Sequence, residues 1–213
     1  MAVSGLCLLL FVIGHMLGNL QFFLGPEPIN AYANFLQSTP ELLWGVRLGM
    51  LCMVGLHIWS ATSLTLENRA ARPVSYYRTH LVAASYASRT MMVSGCIIAA
   101  FIIYHLLHYT VQLQAINLTG QDFRVLHDEK HHHDVYRMMI LGFSKPLVSL
   151  FYLVAVSLLC LHLSHGVGAM FQSLGLKNRT WGAILDRAGM VIGWVLLLGY
   201  ASIPLAILCG YGS

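Results

Sequence analysis

Five stretches of this 213-residue chain carry no charged side chain, and each is close to or above the length that crosses a membrane. They cover residues 1–26, 48–66, 90–121, 146–176 and 188–213. A helix rises about 1.5 Å per residue, so roughly 20 apolar residues span a bilayer core of about 30 Å. Charged residues make up 9% of the chain, far below the roughly 25% typical of soluble proteins. The chain is therefore predicted to be a multi-pass membrane protein.

The stretches are continuously apolar, which favours helices over the alternating strands of a membrane barrel. We predict an all-α membrane protein, a bundle of five transmembrane helices that forms a single domain over residues 1–213. The first stretch lacks the basic flank and the small-residue cleavage site of a signal peptide, so it is expected to remain as the first helix. The helices are expected at about 1–24, 42–66, 89–113, 145–174 and 183–210.

The connections between the helices predict the orientation, because cytoplasmic loops are enriched in Lys and Arg. Two connections, 67–89 and 177–187, carry seven basic residues: Arg69, Arg72, Arg78, Arg89, Lys177, Arg179 and Arg187. The connection 27–41 carries none, and 122–145 carries four basic and four acidic residues. We expect the N-terminus in the cytoplasm and the C-terminus outside. The net charge of +4 lies mainly along one membrane face, which favours lipid or docked subunits over nucleic acid as partners.

One polar segment, 114–144, is expected to be a solvated outer loop. It contains His127 and the run 131–133, which leave a metal-binding loop open as a weaker alternative.

Histidines lie deep inside four of the five apolar stretches, and the fifth contains none. They are His15, His57, the doublet His105 and His108, and the doublet His162 and His165. Ionisable groups at membrane depth are costly and usually serve a function inside the bundle. Counting along the helices places His57 and His162 about 14–18 Å from the cytoplasmic boundary, and His15 and His105 at about 21–24 Å. This sorting predicts an inner couple, His57 with His162, and an outer couple, His15 with His105.

Haem is the ligand that suits two neutral imidazoles at this depth. A bare metal ion would bring uncompensated charge, since no Cys, Asp or Glu joins these histidines. The haem macrocycle neutralises the iron, and two axial histidines leave it suited to electron transfer. We therefore predict two b-type haems. Because each doublet is spaced i,i+3, spacing cannot choose between its members; the spare histidine could bind a haem propionate or line a quinone pocket, and Arg89 is among the boundary cations suited to propionates.

Short motifs surround these histidines along the chain. They are Phe11-Val-Ile-Gly-His15-Met-Leu-Gly-Asn19, His57, Ser88-Arg89-Thr90, Tyr104-His105, Leu161-His162-Leu-Ser-His165-Gly166 and Phe171-Gln172-Ser173-Leu174-Gly175. In this combination the chain resembles, over nearly its whole length, the cytochrome b subunit of succinate dehydrogenase and fumarate reductase, of the type with five helices and two haems.

The resemblance implies that His57 and His162 hold the haem nearer the catalytic subunits, and that His15 and His105 hold the farther one. It favours the first histidine of each doublet. It also implies two partners, a flavoprotein subunit that interconverts succinate and fumarate and an iron–sulfur subunit that passes electrons on. This chain would transfer electrons to or from a membrane quinone, menaquinone or ubiquinone, and anchor the complex in a bacterial cytoplasmic membrane.

Two other functions stay open. One is a cytochrome b subunit of another quinone-linked complex, such as a hydrogenase or a formate dehydrogenase. The other is a transporter that uses histidines to relay protons or metal ions. Transporters often have intramembrane carboxylates, whereas every acidic residue here lies near or beyond the end of an apolar stretch, which favours the cytochromes.

Overall fold

The computed structural model describes residues 1–71 and 90–212, and regular structure within them is helical. Five spans are long and apolar enough to cross a membrane: Ala2–Leu24, Pro40–Ala70, Met91–Thr110, Pro146–Ser173 and Gly182–Leu208. The prediction of an all-α fold is confirmed for these residues, and the five long apolar helices agree with a multi-pass membrane protein. The connection 72–89, with the predicted propionate partner Arg89, lies outside the described residues.

Seven α-helices build the described part of the chain. They are α1 (Ala2–Leu20), α2 (Pro26–Gln37), α3 (Pro40–Ala70), α4 (Met91–His105), α5 (Val135–Phe143), α6 (Pro146–Ser173) and α7 (Gly182–Leu208). A 3-10 turn, Gln21–Leu24, extends α1, and a π-helical turn, Leu106–Thr110, extends α4. Prolines begin α2, α3 and α6, where the missing N–H costs nothing because the first helical N–H groups have no partner within the helix.

Two short helices, α2 and α5, lie in connections that the sequence predicts to be loops. The Asp134 carboxylate caps α5 by accepting a hydrogen bond from the backbone N–H of Arg137 at 3.0 Å. The expectation of a solvated loop over 114–144 is wrong for its inward-facing residues, because Asn117 and Phe123 are fully buried.

We call residues 25–39 and 111–144 together the polar cap. Its two parts are joined by Asn30, whose amide donates to Asp134 at 3.1 Å and accepts from the Tyr136 backbone N–H at 3.0 Å. An exposed ion pair between Lys130 and Glu27, 2.6 Å apart, adds a second link and holds the pKa of the Glu27 carboxyl below its usual value. Side-chain hydrogen bonds and an ion pair thus order a segment whose composition suggests a loop.

The closest helix packing in the bundle is between α6 and α7, and glycines on α7 permit it. A methyl group added at Gly193 would lie 2.9 Å from the Cys160 carbonyl oxygen, and one at Gly189 would lie 2.7 Å from that of Ser164. Small residues that let backbones approach closely are the usual solution for helix pairs in lipid. The α6–α7 pair is therefore the most closely packed helix pair among those described.

Helix α3 differs from the others because none of its 31 residues is buried within the protein. It packs on α1 and α2, and it does not pack closely against α4 or α6. One side of α3 is nonetheless half-buried, along a stripe spaced three and four residues apart that includes Met50, Val54, His57 and Ala61. The α3 backbone therefore lies apart from α4 and α6 while this stripe faces inward.

The α6–α7 contact predicts a cost for adding a single methyl group. We expect Gly193→Ala to lower the free energy of unfolding by about 1–3 kcal/mol, because the new Cβ would meet backbone that cannot yield. Unfolding in mixed micelles of mild detergent and dodecyl sulfate measures this. Gly45→Ala on α3 is the matched control, since its added methyl group meets nothing within 4 Å. Equal stability of both variants would contradict the packing account.

Candidate functional site

The inner couple predicted from the sequence lies together in the structure. His57 on α3 and His162 on α6 face each other with ring centroids 6.4 Å apart and ring planes inclined by 61°. The backbones of α3 and α6 do not pack closely here, so the two imidazoles reach toward each other across the gap between the helices.

Each inner histidine rests on a buried serine. Ser4 Oγ of α1 lies 3.2 Å from His57 Nδ1, and Ser94 Oγ of α4 lies 3.3 Å from His162 Nδ1. Both serines are about 5% exposed. With Nδ1 occupied on both rings, Nε2 is the nitrogen that remains for a ligand.

The outer couple also lies together. His15 on α1 and His105 at the end of α4 have ring centroids 5.8 Å apart and planes inclined by 79°. Phe11 stacks on His15, with centroids 5.4 Å apart and planes inclined by 10°. The Tyr152 hydroxyl lies 3.3 Å from His105 Nδ1, which again leaves Nε2 for a ligand.

The two couples occupy different levels of the bundle. His15 comes eleven residues after Ser4 on one helix, and His105 comes eleven residues after Ser94 on another. Eleven residues correspond to about 16 Å of helical rise, so the serines that hold the inner histidines lie well below the outer couple.

The structure separates the two members of each histidine doublet. His105 faces His15, whereas His108 contacts Tyr104, Tyr109, Phe123 and Tyr152. His162 faces His57, whereas His165 is half-buried and makes no hydrogen bond with the residues described. In both doublets the first histidine joins a couple.

His108 is the least exposed of the described histidines. It is fully buried in the π-helical turn, and its ring stacks on Tyr109 with centroids 4.0 Å apart. Its Nδ1 lies 3.1 Å from the Tyr152 hydroxyl, and its Nε2 has no hydrogen-bond partner among the described residues. Tyr152 therefore joins His105 to His108. Sequence reasoning missed Tyr152, Ser4 and Ser94, since single hydroxyl residues in apolar helices carry no signal without knowledge of the contacts.

The couples fit haem in spacing. A metal ion held linearly between two imidazoles, with bonds of about 2 Å, separates the ring centroids by about 6 Å. Both couples have this separation. Within residues 1–71 and 90–212, no three His, Cys, Asp or Glu side chains gather as a metal site would need, so each couple supplies two ligands only. Two histidines would suit a haem held by two imidazoles and are too few for a structural zinc ion.

Glycines near the couples differ in what borders them. A methyl group added at Gly14, Gly55 or Gly166 would meet nothing within 4 Å. Gly18 and Gly168 differ, because an added methyl group would press on Tyr32 and on Asp186, respectively. The first three glycines border open space, whereas the other two serve packing.

The cap histidines are engaged in local contacts. His133 lies between Gln112, 2.9 Å from its Nε2, and the Leu126 carbonyl, 3.1 Å from its Nδ1. Burial lowers the pKa of the His133 imidazole. His132 pairs with Asp128 at 3.6 Å. These contacts order the cap, and the described residues do not support a metal site in this segment.

Because His105 and His108 share the Tyr152 hydroxyl, we expect Tyr152→Phe to lower the stability of the protein. The substitution would leave ring nitrogens of His105 and His108 buried without a partner, which should cost about 1–3 kcal/mol. Thermal unfolding in detergent measures the effect. Tyr211→Phe is the control, because that exposed hydroxyl makes only a long contact of 3.4 Å. Wild-type stability of Tyr152→Phe would show that the hydroxyl does not bridge the two rings.

No protein-family profile matches the chain, and no curated protein and no solved structure matches it. The resemblance to di-haem cytochrome b subunits therefore stays a prediction drawn from the motifs.

Proposed function

We propose that this chain is the di-haem b membrane-anchor subunit of a succinate:quinone oxidoreductase. In that role it carries electrons between an iron–sulfur subunit and a membrane quinone. The observation that supports the proposal is the pair of histidine couples, each with ring centroids about 6 Å apart and each at its own level of the bundle. A chance pair of core histidines would not be expected twice with the same spacing.

His57 and His162 would hold the inner haem, and His15 and His105 the outer one. Haem bound in this way supplies one-electron redox chemistry. The protein residues would supply neutral imidazoles and hold them, because Nδ1 of His57, His105 and His162 each lies within hydrogen-bond distance of a hydroxyl group. Where Nδ1–H donates to that hydroxyl oxygen, the Nε2 lone pair would stay available. The dicarboxylate chemistry would lie on a partner, because the sequence has no dinucleotide-binding glycine motif and no cysteine cluster.

The proposed orientation places the polar cap outside and the inner couple nearer the cytoplasm, in a bacterial cytoplasmic membrane. The flavoprotein and iron–sulfur subunits would then dock on the face opposite the cap. Two exposed basic residues of that face, Arg179 and Arg187, make no ion pair with a described residue, whereas Lys177 pairs with Asp186 at 2.7 Å. Unpaired surface cations suit a docked subunit or anionic lipid.

The quinone would react near the outer couple, beside the spare histidine His108. This residue offers a buried ring nitrogen without a partner, and such an atom is suited to hydrogen-bond a carbonyl or a propionate. His165 occupies the corresponding place beside the inner couple and is available for the same kinds of contact.

Haem content tests the proposal directly. Purified protein should contain two b-type haems per chain by pyridine haemochrome analysis. His57→Ala or His162→Ala should remove the inner haem, and His15→Ala or His105→Ala the outer one, so a redox titration of each variant should lose one wave. The matched controls are His108→Ala and His165→Ala, which should keep both waves. A well-folded preparation without haem would refute the proposal and would favour a transporter.

The partners are tested separately. The intact complex, isolated from native membranes, should contain covalent flavin, and succinate should reduce its haem. Haem that succinate fails to reduce in an intact complex would assign the chain to another quinone-linked complex, such as a hydrogenase or a formate dehydrogenase.

A further inference from the structure

Two helices of the bundle carry the same short pattern. Ser4-Gly5 is followed by Phe11 and His15 on α1, and Ser94-Gly95 is followed by Phe101 and His105 on α4. The four residue types occur at identical spacings, seven residues from serine to phenylalanine and eleven from serine to histidine. Eleven residues complete about three helical turns, so serine and histidine share one face of each helix.

The two serine–glycine pairs also make the same contacts. Each serine oxygen meets Nδ1 of an inner histidine that belongs to another helix, at 3.2 Å for Ser4 and 3.3 Å for Ser94. The following glycine lies beside the Cε1 edge of the same ring. A methyl group there would be 3.5 Å from His57 Cε1 at Gly5 and 3.7 Å from His162 Cε1 at Gly95.

The phenylalanines repeat as well. Phe11 lies against His15 with ring centroids 5.4 Å apart, and Phe101 lies against His105 with centroids 5.9 Å apart. Each helix thus presents one outer histidine beside a phenylalanine, and three turns away a serine that meets an inner histidine. The residues that recur in the two sequences also make the same contacts in the structure. A chance similarity between two apolar helices would not produce this agreement.

The number of available protons determines which atom donates in each serine–histidine hydrogen bond. A serine hydroxyl has one proton to donate. Ser4 Oγ also lies 2.9 Å from the Met1 carbonyl, and Ser94 Oγ lies 3.1 Å from the Met91 carbonyl. A carbonyl oxygen can only accept, so each serine must donate its proton to the carbonyl. The second contact is then a hydrogen bond only if the imidazole Nδ1–H donates to the serine oxygen.

We propose that Ser4 and Ser94 are positioning residues that fix the tautomer of His57 and His162, with the proton on Nδ1 and the lone pair on Nε2. This inference rests on the proposed function, because the lone pairs of the couple are then available to haem iron. Two Nε2 lone pairs in one couple cannot hydrogen-bond to each other. Both would be satisfied by an electron-pair acceptor between them, such as a metal ion.

The hydrogen bond also changes the donor strength of the ligand. An imidazole whose N–H is bound to an acceptor is a more basic ligand, and a more basic ligand favours ferric iron. Ser94→Ala or Ser4→Ala should therefore shift the reduction equilibrium of the inner haem toward the reduced state. We expect a shift of about tenfold, which is about 59 mV for one electron. The outer haem of the same molecule should keep its midpoint potential.

The test is a redox titration of the purified holoprotein with both haems present. Ser94→Thr keeps a hydroxyl and should restore the wild-type inner potential. Ser157→Ala is the matched control, because that serine lies on α6 with His162 and bonds only to its own helix, at the Leu153 carbonyl. Loss of the inner haem from the alanine variants with retention in the threonine variant would also support the proposal.

An unchanged inner potential in both alanine variants would overturn it. The proposal would also be overturned if Ser157→Ala shifted the inner potential equally, or if Ser94→Thr did not restore the wild-type inner potential. Nitrogen-15 NMR of histidine-labelled protein without haem provides a readout of its own. His57 and His162 should carry the proton on Nδ1 in the wild type and lose this preference when their serine is replaced. Wild-type protein that never binds haem, yet shows these tautomers, would refute the proposed function and leave the serine assignment intact.

Discussion

The structure depends on one constraint: a polar atom inside a membrane bundle needs a partner within the protein. Imidazole carries two nitrogens, and a lipid-facing helix offers neither of them a partner. The inner histidines meet this constraint at Nδ1 through serines of neighbouring helices, and His105 meets it through Tyr152. Hydroxyl side chains suit this role because they add one polar atom to an otherwise apolar helix and can bond to their own backbone at the same time.

The two couples meet the same need in different ways. At the inner level each ring has its own serine, so the two ligands are held alike. At the outer level His105 shares one hydroxyl with His108, whereas Phe11 stacks on His15 and leaves its ring nitrogens without a hydrogen bond to a described residue. The outer histidines are therefore joined to a larger aromatic cluster that continues toward the cap. Phe123 of the cap contacts His108, which shares the Tyr152 hydroxyl with His105, whereas the inner couple contacts residues of the transmembrane helices.

Much of the fold was predictable because length and hydropathy alone identify membrane helices. The pairing of His15 with His105 and of His57 with His162 followed from counting residues along helices. The cap was not predictable in the same way, since α2 and α5 depend on specific contacts such as those of Asn30 with Asp134 and Tyr136. Hydroxyl partners were missed for the same reason: their role depends on which helices are neighbours, and periodicity within one helix does not contain that information.

The position of α3 suggests how haem and fold would support each other. This helix buries none of its residues and packs on α1 and α2, yet it carries one histidine of the inner couple. An iron bridge from His57 to His162 would tie α3 to α6, the helix in closest contact with α7. A ligand that binds only the folded arrangement stabilises it by mass action. Under the proposed function the inner haem would be part of the core, and it would add to the contacts with α1 and α2 that hold α3 in the bundle.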